Sequence, residues 1–142
     1  DMIRQRQRPY LGEGMFRYYP TPDAFAKKRV LCRSALALAE DLPADCVHET
    51  TVVDSYIDLA YNIWRIAEFM ATRDLREIQD QENLRSYLAA LRVAGEANTL
   101  AIRTWRADLG PEPWHYRVHD ALESTERTVR EIGRFVEERY LF

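Results

Sequence analysis

Apolar residues recur along most of this chain at steps of three and four, the period of a helix that turns one face inward. The clearest run is Leu84, Leu88, Leu91, Gly95, Asn98, Ile102, Trp105 and Leu109, alternating steps of four and three like the seam of a bundle helix. Val118, Leu122, Thr125, Val129, Ile132, Val136 and Tyr140 repeat that seam further on. Gly110-Pro111 stops the first of these helices and Pro113 suits the first turn of the second, so helices over about 81–109 and 113–140 are expected, joined by a tight corner. Two seam positions stand out. Gly95 weakens a helix by roughly 1 kcal/mol against Ala and is expected to admit a close neighbour such as Trp64. Asn98 is a polar group in a core position and needs a partner.

The first half of the chain is patterned differently. Thr21-Pro22-Asp23 sets a capping hydroxyl, a proline and an acid at a helix start, and Phe25, Val30, Leu31, Ala35, Leu38 and Leu42 follow at helical spacing. A helix over 22–42 is expected, ended by Pro43. After a loop to Glu49, Thr50 or Thr51 caps a second helix over about 51–73, with Asp54 three residues past Thr51 as an acidic capping box. Of the twenty residues from Val52 to Ala71, fourteen are apolar, and Asp54, Asp58, Asn62 and Arg65 form a narrow polar line among them. Read as a solvated stripe, that line leaves Ile57, Tyr61 and Trp64 in surplus, to be covered by another chain, because monomers seldom leave large apolar patches bare. Four charges (Asp54, Asp58, Arg65, Glu68) argue against a membrane span. The charged stretch 72–83 is where the turn into helix three is expected, with Asp80 as its cap; a single bent helix is the competing arrangement. Residues 1–20 hold Pro9, Gly12, Gly14 and Pro20 among Tyr10, Phe16, Tyr18 and Tyr19, and read as an ordered arm strapped along the helices. The expected fold class is all-α: an antiparallel four-helix bundle with an ordered N-terminal arm.

Composition adds limits more than chemistry. At 142 residues, one domain can hide about 70% of its unfolded surface and needs no staple. A net charge of −3 makes nucleic acid an unexpected partner, and Arg4, Arg6 and Arg8 read as a solvated tail. Cys32 and Cys46 form no disulfide framework, and with no apolar leader stretch the compartment is read as reducing and cytoplasmic. Eighteen of the twenty cationic residues are Arg, which suggests a high-GC, bacterial coding genome.

The candidate chemistry lies in three histidines. His115 and His119 stand at i and i+4, stacking two imidazoles on one helix face, and Glu112 completes an E-x-x-H string like half of a di-iron bundle site. His48, beside Cys46 and Glu49, sits in a loop that an up-down bundle brings to the same end. A divalent metal on His115, His119 and Glu112 is therefore the alternative to a cofactor-free chain. Arg117-Val118-His119-Asp120 resembles the phospho-acceptor helix of histidine kinases, which implies a phosphorelay role for His119 with Asp120 as general base. Glu131-Ile132-Gly133-Arg134 resembles the closing helix of a small four-helix-bundle family that includes accessory proteins of diversity-generating retroelements; no function is carried over from those four residues. No phosphate loop, nucleophile elbow or C-x-x-C pair occurs, and no Arg stands four to six residues before a His as in helical ribonucleases. The leading expectation is a non-enzymatic bundle acting through protein contacts, self-associating through helix two.

Overall fold

A computed structural model of the chain describes residues 22–108 and 116–142, with 116–119 described by backbone alone. All regular structure among these residues is helical: α1 Pro22–Leu36, α2 Ala44–Thr72, α3 Ile78–Asp108 and α4 Tyr116–Arg139, plus one 3-10 turn at Ala39–Asp41. None of these helices is long and apolar enough to cross a membrane. The arm 1–20, the Thr21 cap, the Gly110-Pro111 corner and the Pro113 start lie outside the described residues.

Three boundaries differ from the sequence pattern, each for a local reason. α1 ends at Leu36 rather than 42, because its last turn tightens: Leu38 N–H donates to the Ala35 carbonyl, and the 3-10 turn follows. Leu42 is then extended (φ −106°, ψ 149°), the conformation a following proline imposes. α2 begins at Ala44, so the expected loop before Thr50 is already helical, with the Pro43 carbonyl accepting from Cys46 N–H and Val47 N–H. Thr50 and Thr51 do not cap it. Each hydroxyl donates 2.7 Å back to the carbonyl four residues earlier, on Cys46 and Val47, an alternative open to hydroxyl side chains inside a helix. α3 starts at Ile78, which places Asp80 inside its first turn rather than at its cap. The break itself is present, and Asp74 holds it: its Oδ1 accepts from Arg76 N–H at 3.1 Å and Arg76 Nε at 3.3 Å. Arg76, through its backbone N–H first and its side chain second, lowers the Asp74 pKa below the ordinary carboxylate value.

α3 packs between α2 and α4. Leu59, Ile66 and Phe69 of α2, Leu84, Leu88, Leu91 and Ala94 of α3, and Val136 of α4 form one buried cluster. Val52, Ile102 and Leu122 form a second. Full burial of each such Leu or Ile is worth about 1.5–3 kcal/mol. Between the two, Asn98 is fully buried and joins all three helices: its amide nitrogen donates to Ser55 Oγ (2.9 Å) and the Val52 carbonyl (3.3 Å), and its oxygen accepts from Thr125 Oγ1 (2.8 Å). Gly95 is closed in by Val129 of α4, whose Cγ2 lies 2.8 Å from where a Cβ would stand. The expected neighbour Trp64 lies instead on the α1 side of α2, in the cluster around Phe25. At the far end Gln81, 7% exposed, fastens the residues after α4: its amide nitrogen donates to the Leu75 and Tyr140 carbonyls, and its oxygen accepts from Phe142 N–H.

α1 packs on α2 through Phe25 and Cys32, its two buried residues. Of the apolar positions expected to form its inner face, Val30 (64% exposed), Leu31 (70%) and Leu38 face outward. A short helix with a single neighbour buries one narrow stripe; Val30 and Leu31 fall on the other side of it, and Leu38 lies beyond the helix end.

Candidate functional site

The polar line of α2 is met by Arg29 of α1 on one side and Tyr87 of α3 on the other. Asp54, Asp58, Asn62 and Arg65 recur at steps of four, four and three, so they share one face, and all four are half-buried. Arg29 of α1 reaches across to pair with Asp58. Asn62 Nδ2 donates to the Asp58 carbonyl at 2.8 Å, and Asn62 Oδ1 accepts from Arg65 Nη2 at 3.0 Å. From α3, Tyr87 offers its ring face to the Arg65 guanidinium at 4.3 Å, and Tyr61 lies 5.6 Å from the same group. Contacts at this range draw on the negative face of the aromatic ring.

The line is thus half-buried rather than the solvated stripe expected from the sequence. It does not join Asn98, whose partners are Ser55, Val52 and Thr125. Its own hydrogen bonding is incomplete: Asp54 Oδ1, Arg29 Nε and Arg65 Nε are buried and make none. Among the described residues, no carboxylate pairs with Arg65.

The three residues read as an interface with another chain are placed as follows. Ile57 is 1% exposed and packs within this chain against Phe25, Cys32 and Ala60, so α1 covers what was expected to need a partner. Tyr61 and Trp64 are half-buried beside it, stacked at 6.3 Å with 16° between planes, and Phe25 meets the Tyr61 ring edge-on at 5.6 Å. Tyr61 and Trp64 therefore keep an outward edge that Ile57 lacks. Sequence reasoning missed Tyr87 and Arg29, because neither lies on the helix whose pattern drew attention. The signal was available in Tyr87, a large aromatic outside the α3 seam.

Cys32 is chemically quiet. Burial first, and the nearby Asp54 carboxylate second, push its thiol pKa up, which keeps it protonated and poorly nucleophilic. Cys46 is exposed and free. Of the metal candidates, Glu112 and His115 lie outside the described residues, and for His119 only the backbone is described. Among the described residues, no three His, Cys, Asp or Glu side chains gather as a metal would require. His48 Nε2 lies 2.5 Å from Asp108 Oδ2, tying the start of α2 to the end of α3.

Two further apolar surfaces face outward. On α1, Ala26, Val30 and Leu31 with Lys27 line a shallow cavity of about 460 Å³. On α3, Val93 and Leu100 are each about two-thirds exposed. No protein-family model matches the chain, and neither a curated protein nor a solved structure does.

Proposed function

We propose that this protein is a non-enzymatic helical bundle that works through protein–protein contacts and associates with itself. One observation carries the reading: Tyr61, Trp64, Arg65 and Tyr87 form a half-exposed cluster in which Arg65 has no acidic partner among the described residues. Tyr, Trp and Arg are the residue types that dominate binding energy at protein interfaces. In the same reading the four helices close as an antiparallel bundle, and the protein works in a reducing cytoplasm. The pairing of helix ends supports the bundle: His48 near the start of α2 meets Asp108 at the end of α3, and Gln81 near the start of α3 meets Tyr140 after α4. Light scattering over a concentration series tests the association. A mass that rises to at least two chains is expected; a strictly monomeric mass at the highest concentration overturns it.

A second reading, a divalent metal on His115, His119 and Glu112, draws support from His48, which reaches Asp108 a few residues before that string. Metal analysis of the purified chain, with melting curves in zinc and iron, tests it. No bound metal and no shift in melting would overturn it.

A further inference from the structure

We infer that the polar line of α2 is the self-association surface, on which a second copy lays its own α2 antiparallel across the first so that Asp58 of each chain meets Arg65 of the other. The inference rests on the self-association proposed above and names its surface. Asp58 and Arg65 are seven residues apart on one helix face, about 10 Å along the axis. A two-fold axis midway between them, beside Tyr61 and Asn62, brings each Asp58 opposite the partner's Arg65. One isologous contact thereby forms two ion pairs.

The order of charges selects both occupant and direction. The line reads acid, acid, amide, cation from Asp54 to Arg65, so it complements itself only when reversed. A parallel copy would set Asp58 against Asp58 and Arg65 against Arg65, and like charges facing each other across an interface oppose binding by several kcal/mol. With the axis at this position Thr51 falls opposite Thr72, so the exposed ends of the stripe carry no opposing charge. Both members have capacity left. Asp58 uses one carboxylate oxygen on Arg29, and Arg65 gives an Nη2 bond to Asn62 and pairs with no carboxylate among the described residues. Tyr61 and Tyr87 flank Arg65 and exclude water from the pair, which strengthens it over an exposed one.

Asp58→Arg and Arg65→Asp, made separately and then mixed, test this with light scattering, and circular dichroism checks that each variant is folded. Wild type is expected to be a dimer. Each variant alone should weaken dimerisation at least about tenfold, because each sets like charges opposite each other. An equimolar mixture should regain dimers, since the Asp58→Arg chain then faces an Arg65→Asp chain with two attractive pairs. Asp58→Arg also loses its Arg29 partner within the chain, and mixing cannot repair that loss, so recovery reports on the pairs between chains. If wild type is monomeric, self-association and this surface are both overturned. If wild type is dimeric but the single variants keep its affinity, or the mixture stays monomeric, this surface is overturned and self-association stands. Should either variant fail to fold, Asn62→Cys combined with Cys46→Ser replaces it. Oxidation must then yield a covalent dimer, and a chain that stays monomeric on a denaturing gel overturns the inference.

Discussion

Among single residues, Asn98 shows most plainly what a seam position does. The sequence marks it as a polar group on a core face but cannot say what satisfies it, because the partners come from elsewhere: Ser55 lies 43 residues away and Thr125 lies 27. Thr125 was itself readable only as a seam residue, since a β-branched hydroxyl fits a core step as well as a valine does. The structure turns these two ambiguities into one bond, Thr125 Oγ1 donating to Asn98 Oδ1 in a site that water does not reach. Thr125→Val keeps the shape and removes the donor, so it should lower unfolding stability by about 1–3 kcal/mol, read from urea titration. Combining it with Asn98→Leu should cost less than the two single losses added, because the pair acts as a unit. A Thr125→Val protein indistinguishable from wild type would show that the bond contributes nothing net.

Helix interiors were legible from pattern; the end of α1 and the starts of α2 and α3 were not. The α3 seam from Leu84 to Ile102 is where the spacing placed it, whereas α2 begins well before its expected cap because the threonines spend their hydroxyls inside the helix. Asp74, not Asp80, takes up a free N–H at the α2–α3 break, and neither its position nor its identity follows a capping-box spacing. The two glycines that face across α3 and α4 show how far element packing lies beyond the local pattern. At Gly95 a Cβ would stand 2.8 Å from Val129 Cγ2, a stiff β-branched side chain; at Gly133 it would stand 3.1 Å from Arg92 Nη2, the end of a flexible one. In each case Ala gains up to about 1 kcal/mol of helix propensity. Overpacking costs about 1–3 kcal/mol where the neighbour cannot move. Gly95→Ala should therefore destabilise and Gly133→Ala stabilise, and Val129→Ala should relieve the first. Melting temperatures of the three variants decide this, and the same sign at both glycines would overturn the packing argument.

At the scale of the molecule, part of the apolar surplus of α2 finds its cover within the chain. Ile57 is buried by Phe25 of the same chain, a contact that no spacing within α2 could reveal. The polar line beside it was legible, but its flanking Arg29 and Tyr87 come from α1 and α3 and appear only when three helices are together. This division of labour also predicts unequal stability. Among the described residues, the clusters shared by α2, α3 and α4 contain most of the buried apolar side chains, whereas α1 brings Phe25 and Cys32 and leaves Val30 and Leu31 in solvent. A helix of 15 residues is marginal by itself, so α1 stays helical mainly while docked. Local opening of α1 should therefore need less free energy than global unfolding. In hydrogen exchange, amides of α1 are expected to exchange at least tenfold faster than those at Leu84, Leu88 and Leu91. Phe25→Ala, which removes its largest anchor, should widen that gap while the α3 amides remain the slowest in the chain. Equal protection of α1 and α3 in the wild-type protein would mean that α1 is an integral part of the core, and the ranking of the helices argued from burial would fall.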